Sequence, residues 1–225
     1  MLDFIRDPSL YTLVRGPLVW VAFLVFVGMS IYKVRRLYLR AKNEKAVLPF
    51  IDGKSFRRSV LHWILPFGSR NWRMRWPVTI TTFVFHIGLV FTPIFLLSHN
   101  VLWYESWGVS WWSLPEKTAD IMTLLVIATC IVFFLRRIFA PEVWFVTSAD
   151  DFLILGISFF PFLTGFLAYH SLILPYKAMV ILHMLFGEAM LIAIPFTRLG
   201  HMFYFFMTRA WMGSQMQSVW RGRDW

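Results

Sequence analysis

Residues 176–206 read YKAMVILHMLFGEAMLIAIPFTRLGHMFYFF, and this stretch decides the fold that the sequence predicts. It is apolar and longer than the roughly 20 residues that a helix needs to cross a bilayer. It carries His183 and His201, eighteen residues apart, which is five turns of an ideal α-helix. We therefore expect one helix with both imidazoles on the same face, about 27 Å apart along the axis. Ionisable side chains within a membrane span are candidates for function by default.

The composition of the whole chain is that of an integral membrane protein. Of its 225 residues, 58% are hydrophobic and only 15% are charged, with a net charge of +10. The basic residues cluster beside apolar spans, where they orient a membrane protein, so we predict contact with lipid and no nucleic-acid partner. The one cysteine, Cys130, lies in an apolar run. It excludes a disulfide, a cysteine-ligated zinc site and an iron–sulfur cluster within this chain.

Charge distribution predicts the topology. Residues 33–75 carry twelve Lys and Arg against Glu44 and Asp52, and the positive-inside rule places them in the cytoplasm. The loop 100–120 is rich in tryptophan, as interfacial belts are, and is expected outside. Arg209, Arg221 and Arg223 follow the last span and are expected inside. Residues 55–65 have the mixed polarity of an interfacial helix, in which His62 is expected to be an ordinary interfacial residue.

The predicted fold is an all-α, five-transmembrane-helix bundle with a periplasmic N-terminus and a cytoplasmic C-terminus. The N-terminus has no cleavable signal pattern, so the first span is expected to remain. No internal repeat or linker interrupts the chain, which predicts one domain over residues 1–225. The spans are placed at about residues 16–32, 76–98, 121–135, 151–169 and 177–207.

The histidines fall at two depths on this topology. His86 and His201 lie toward the cytoplasm, while His99, His170 and His183 lie toward the outside. Antiparallel spans two and five would then face a histidine with a histidine at two levels. Two axial imidazoles from facing helices are how a bundle holds a b-type haem. The alternative is that these histidines hydrogen-bond across helices as polar contacts.

The outer partner of His183 has two candidates. His99 is thirteen residues after His86, so the two are about 140° apart on an ideal helix. Pro93 lies between them and would have to kink or rotate the helix to bring His99 into position. His170, at the mouth of span four, is the rival ligand. We favour His99.

Other polar residues in the spans have assignable roles. Glu188 is five residues beyond His183 and is either a proton or quinone site or a neutral acid bonded to a neighbouring helix. Arg198 and Arg136 are candidates to pair with haem propionates, because guanidinium binds carboxylates bidentately. Asp150 and Asp151 fit the N-cap of span four. The remaining candidates are Arg137, more simply an anchor, and Tyr176 and Lys177, near the outer propionates.

Several motifs in order resemble the gamma subunit of respiratory nitrate reductases, over about two-thirds of the chain. They are Phe85-His86-Ile87-Gly88, residues 136–141 (RRIFAP), residues 147–155 (TSADDFLIL), His183 with Gly187, and residues 196–201 (FTRLGH). The resemblance implies a five-helix cytochrome with two haems b, the inner one held by His86 and His201. The outer haem in that family uses the position of His183 and a histidine ten residues after the first. Leu96 stands there in this chain, which leaves His99, His170 or no histidine as the second outer ligand.

The basic segment 33–75 and the Pro-Ile-Phe-Leu-Leu-Ser-His ending of span two look most similar to one branch of this family. That branch is the cytochrome b subunits of transmembrane redox complexes in sulfate reducers and of heterodisulfide reductases. The resemblance implies an electron-transfer subunit of the bacterial or archaeal cytoplasmic membrane, not catalytic alone. Its expected partners are a cytoplasmic iron–sulfur subunit, other membrane subunits and a periplasmic multihaem cytochrome c, with menaquinone as a candidate ligand. The alternatives are a haem-free anchor that docks a soluble redox enzyme and, less favoured, a transporter.

Overall fold

The computed structural model describes residues 8–44 and 51–218, and every regular element within these ranges is helical. Residues 1–7, Lys45, Arg221 and Arg223 lie outside the described residues. In the described ranges, five helices are long and apolar enough to cross a membrane, which confirms the predicted all-α class and the number of spans there. They are Ser9–Asn43, Trp76–Phe95, Glu116–Phe139, Ala149–Tyr169 and Tyr176–Phe196.

The elements follow one another with short connections. The first span contains a π-helical turn, Val14–Leu18, around Pro17, whose missing N–H disturbs the regular ladder. The α-helices are α1 (Pro8–Leu13), α2 (Val19–Asn43), α3 (Gly53–Ile64), α4 (Arg70–Met74), α5 (Trp76–Phe95), α6 (Leu97–Trp107), α7 (Glu116–Phe139), α8 (Pro141–Trp144), α9 (Ala149–Tyr169), α10 (Tyr176–Phe196) and α11 (His201–Ser218).

The predicted continuous span 177–207 is wrong. Helix α10 ends at Phe196, one residue after Pro195. Thr197 is extended, with φ −115° and ψ −174°, and its side chain accepts a hydrogen bond from the Leu199 amide. A short 3-10 turn follows, and α11 begins at His201. His183 and His201 are therefore on different helices. Their spacing of eighteen residues does not place the two imidazoles on one helical face.

The predicted span 76–98 is also interrupted. Helix α5 continues through Pro93 but ends at Phe95, and Leu96 is extended before α6 begins. The last carbonyls of a helix need outside partners. Here the Trp111 indole donates to the Ile94 carbonyl at 2.8 Å, and the Leu114 amide donates to the Phe95 carbonyl at 2.8 Å. Trp111 and Leu114, in the loop 108–115, thus satisfy the last carbonyls of α5. The chain turns at Leu96 instead of bending at Pro93.

The chain divides into two compact units, residues 1–19 with 81–190 and residues 20–80 with 191–225. The core of the first unit is formed where α5, α7 and α9 meet, around Val126, Cys130 and Phe162. Gly88 allows α5 to approach closely, because an added Cβ there would be 2.5 Å from Val126 Cγ2. Such close helix approach over small residues is typical of membrane bundles.

Helix α9 has a capping box that fits the predicted cap role of Asp151. The Ser148 amide and hydroxyl both donate to the Asp151 carboxylate at 2.9 Å. Arg137 lies 3.7 Å from the same carboxylate. The box satisfies amides at the helix start and fixes where span four begins.

In the second unit, the helix expected at residues 55–65 is present as α3, and it packs on α11 through small residues. Ser55, Ser59 and Ser214 are buried at this contact. An added Cβ on Gly213 would lie 2.7 Å from Ser59 Cβ. The Asp52 amide donates to Ser214 Oγ at 2.9 Å. The contact is therefore close and specific along one face of α3.

Candidate functional site

The first unit brings together the two histidines predicted as outer ligands. His99 is in the first turn of α6, and His183 is in the second turn of α10. Their ring centroids are 5.9 Å apart, and the ring planes are inclined by 20°. His99 reaches this position because helix α5 ends before Leu96 and α6 begins after it. The kink expected at Pro93 does not place it there.

Backbone carbonyls orient both rings. His99 Nδ1 donates to the Pro93 carbonyl at 2.8 Å, and His183 Nδ1 donates to the Pro161 carbonyl at 2.9 Å. Because a carbonyl only accepts, each ring carries its proton on Nδ1 and its lone pair on Nε2. Metal-ligating histidines are held in this way, with the second ring nitrogen donating to a carbonyl or carboxylate.

Gly165 of α9 provides the surface on which the His183 ring rests. A Cβ added there would lie 3.0 Å from Cε1 and 3.1 Å from Nδ1 of His183. Gly165 is one helical turn beyond Pro161, so the same face of α9 supplies the carbonyl and the gap. Sequence reasoning missed this residue, because a single glycine in an apolar helix carries no pattern that predicts a contact on another helix.

Burial determines the charge of His99. Desolvation lowers the pKa of His99 below its usual range, although the hydrogen bond to the Pro93 carbonyl acts in the opposite direction. The imidazole is therefore neutral at pH 7, which is the form that binds metals.

The separation of the two rings suits ligation of one metal ion. Imidazole–metal bonds are about 2.0–2.1 Å long, so rings whose centroids are 5.9 Å apart are close enough to bind the same metal ion. Among the described residues, no group of three or more His, Cys, Asp or Glu side chains could hold a metal ion. Two histidines alone suit a metal whose other ligands come from a macrocycle, as in haem.

Asn100, next to His99, anchors the loop 108–115 to α6. Its side chain is 3% exposed, donates to the Trp111 carbonyl and to Ser113 Oγ, and accepts from the Trp111 amide at 3.1 Å. The same loop completes α5, so Asn100 stabilises the turn that positions His99. The sequence marks the loop by its tryptophans but does not single out Asn100.

His170, the rival outer ligand, lies elsewhere in the first unit. It follows the last turn of α9, and its Nε2 lies 3.0 Å from Asp120 Oδ1 of α7. The ring also contacts Phe166 and Tyr169. The nitrogen that would bind a metal is thus engaged with a carboxylate, while His99 and not His170 faces His183.

The histidines predicted for the inner site belong to different units. His86 Nδ1 donates to the Thr82 carbonyl at 2.7 Å, and His201 Nδ1 donates to the Arg198 carbonyl at 2.9 Å. Each ring therefore has the same tautomer as His99 and His183, and both are exposed in their own unit. The pairing of His86 with His201 stays a prediction.

The other predicted site residues differ in burial. Arg198 is exposed in the 3-10 turn, and Arg136 is half-buried in the last turn of α7. Glu188 is only 5% exposed in α10, and neither carboxylate oxygen has a hydrogen-bond partner among the described residues. The Lys177 ammonium lies 6.0 Å from the centre of the Tyr11 ring. Exposed Tyr176 precedes it.

Comparison with known proteins gives one relative that matches most of this chain. A protein of Nitratidesulfovibrio vulgaris (strain Hildenborough) is 38% identical over 210 residues, which cover 91% of this chain and 92% of that protein. Its description, "Protein", states no activity. No protein-family model matches the sequence, and no solved structure matches it.

Proposed function

Because the chain belongs to the same family as the Nitratidesulfovibrio vulgaris protein, whose description states no activity, we propose a function from the site itself. The chain is a b-type cytochrome subunit that carries electrons across a bacterial or archaeal cytoplasmic membrane. It is an electron-transfer part of a respiratory oxidoreductase complex. It performs no catalysis alone.

One observation carries this proposal: two neutral-form imidazoles face each other at 5.9 Å, each oriented by a proline carbonyl. A polar contact between helices would use one hydrogen bond for each ring and would give the second ring nitrogen no role. Because Nδ1 donates in both rings, the lone pairs of His99 and His183 are on Nε2, which is the nitrogen that would bind a haem iron. These residues would hold the outer haem.

The inner haem is assigned to His86 and His201 by the family resemblance, and each of these rings donates from Nδ1 to a backbone carbonyl. Arg198 and Arg136 would neutralise its propionates. When bound, haem supplies the one-electron redox chemistry. The protein's part is to fix the imidazoles, to provide the charges that balance propionates, and to exclude water through its apolar helices.

The partners in this proposal are those that an electron path across a membrane needs. A cytoplasmic iron–sulfur subunit would exchange electrons at the inner side. A menaquinone pool or a periplasmic multihaem cytochrome c would exchange them at the outer side, with other membrane subunits completing the complex. Five spanning helices support lipid contact, and the partners rest on the resemblance.

Purified protein tests the proposal through a reduced-minus-oxidised optical spectrum and haem quantitation per chain. We expect a b-type α-band and two haems. Absence of the band from protein produced with ample haem and still folded would reject the cytochrome and leave the haem-free anchor. His201→Ala should remove the inner haem, while His62→Ala, on α3, is the matched control and should remove none.

The outer ligand is tested by comparing His99→Ala with His170→Ala. We expect the first to remove one haem and the second to retain both, because His170 is engaged with Asp120. The opposite result would assign the outer site to His170. Retention of both haems in both variants would exclude either residue as a ligand.

A further inference from the structure

Helix α3 presents a basic stripe on the face that does not contact α11. Lys54, Arg57, Arg58 and Leu61 follow one another at helical spacing, and all four are exposed. They border a groove of about 390 Å³, which His62, Leu65 and Gly68 complete. The helix is only twelve residues long and is not among the candidate spans, although it lies in sequence between two of them.

The groove is held by contacts on its other sides. Arg73 donates to the carbonyls of Phe67 and Gly68 at 3.1 and 2.8 Å, which fixes the turn that closes the groove. Gly68 is packed against the end of α3, since an added Cβ would be 2.2 Å from the His62 carbonyl oxygen. The opposite face of α3 is fixed by the Gly213 contact described above. The cations thus extend from a supported backbone.

The positive charge of the stripe is not neutralised within the described part of the chain. Arg57 and Arg58 make no ion pair or hydrogen bond there. Asp52 is the acid nearest to Lys54 in sequence, and its carboxylate accepts from the amide and hydroxyl of Ser55 at 2.8 and 2.7 Å. These bonds, with a contribution from Lys54, lower the pKa of Asp52. The guanidinium groups of Arg57 and Arg58 are therefore available to an anion of another molecule.

Aliphatic side chains border the same cations. Leu61 and Leu65 are 50% and 55% exposed, and both line the groove. Short helices with basic and aliphatic side chains lie in the membrane interface, with their cations among the headgroups. A soluble anion would use the arginines but not the leucines. A phospholipid would use both.

We propose that this groove binds an anionic phospholipid, with its phosphate on Arg57 and Arg58 and its first acyl carbons on Leu61 and Leu65. The guanidinium groups suit a phosphate because they bind it bidentately. The inference is independent of haem, because it uses none of the histidines assigned to the two haem sites.

The test compares two double variants of the full chain in nanodiscs of phosphatidylcholine with increasing phosphatidylglycerol. Arg57→Gln with Arg58→Gln removes the groove cations. Arg36→Gln with Arg40→Gln removes two exposed cations from α2, outside the groove. Bound phosphatidylglycerol is counted by native mass spectrometry. We expect binding at least about tenfold weaker for the groove pair, because its charge-assisted hydrogen bonds to the phosphate are lost, and little change for the α2 pair.

If both double variants lose the same amount of bound phosphatidylglycerol, the lipid is attracted to the membrane-facing charges in general and not to this groove. If the groove variant loses none, the proposal is wrong. Competition by inorganic phosphate as effective as that by phosphatidylglycerol would assign the groove to a soluble anion. Arg57→Lys with Arg58→Lys keeps the charge but loses the bidentate hydrogen bonds, so it should bind phosphatidylglycerol more weakly than the unaltered chain and more tightly than the glutamine pair. Leu61→Gln should weaken phosphatidylglycerol binding while leaving that of inorganic phosphate unchanged.

Discussion

Gly165 offers the sharpest test of the outer site, because it contacts the proposed ligand His183 without being a ligand itself. A methyl group at this position would lie 3.0 Å from Cε1 and 3.1 Å from Nδ1 of His183. Contacts between such atoms settle at about 3.5–4.0 Å, so the ring must move by roughly 0.5–1 Å. Its bond to the Pro161 carbonyl, now 2.9 Å, resists that movement. Overpacking of this kind costs about 1–3 kcal/mol.

We expect Gly165→Ala to weaken binding of the outer haem by roughly fivefold to 150-fold, which is that energy expressed as a binding constant. Gly165→Val should remove the outer haem. The measurement is haem stoichiometry during titration of haem into the apoprotein, with the optical spectrum identifying which haem is lost. Gly187→Ala is the control, because no heavy atom lies within 4 Å of an added Cβ there.

Full outer-haem occupancy in folded Gly165→Val would refute the reasoning, since the His183 ring could not then be a ligand in this position. Selective loss of the inner haem would also refute it. A lower melting temperature with both haems retained would make the Gly165 contact one of packing alone.

Three further predictions concern other contacts. Gly213→Ala should destabilise the α3–α11 contact by about 1–3 kcal/mol, because the added Cβ would lie 2.7 Å from Ser59 Cβ. Gly28→Ala is the control, because no heavy atom lies within 4 Å of an added Cβ there. Equal melting curves of the two variants in detergent would contradict this prediction. Asn100→Ala removes three hydrogen bonds, each contributing about 1 kcal/mol. We therefore expect faster proteolysis of the loop 108–115 and weaker binding of the outer haem. An unchanged cleavage rate would show that other contacts hold this loop in place. Glu188→Gln should slow haem reduction by menaquinol in stopped-flow measurements at unchanged haem content, because the amide cannot exchange a proton; an unaltered rate would return Glu188 to a structural role.

The number and position of the spans could be predicted from sequence for a simple reason. A stretch of some 20 apolar residues has few alternatives to a membrane helix, because every backbone group must find its partner inside the segment. Each of the five predicted spans overlaps a candidate membrane helix, although two of them extend past the end of the helix. The sequence also favoured His99 over His170, and the structure brings His99 to His183.

The breaks at Leu96 and Thr197 could not be predicted in the same way. Hydrophobic periodicity averages over turns and does not report which carbonyls find outside partners. The end of α5 depends on Trp111 and Leu114, from a loop almost twenty residues later. The start of α11 depends on a local bond between the Thr197 side chain and Leu199. The contact of Gly165 with His183 depends on how α9 and α10 pack, which one sequence does not encode in a visible pattern.

The break between α10 and α11 changes how this protein would tolerate insertions and deletions. One residue inserted into an unbroken helix rotates everything beyond it by about 100°. At Thr197, where the backbone is extended, a short loop would absorb such a change, and His183 would keep its register. Homologous chains are therefore free to differ in the spacing of His183 and His201 without losing the outer pair. An insertion within α10 before His183 has no such freedom.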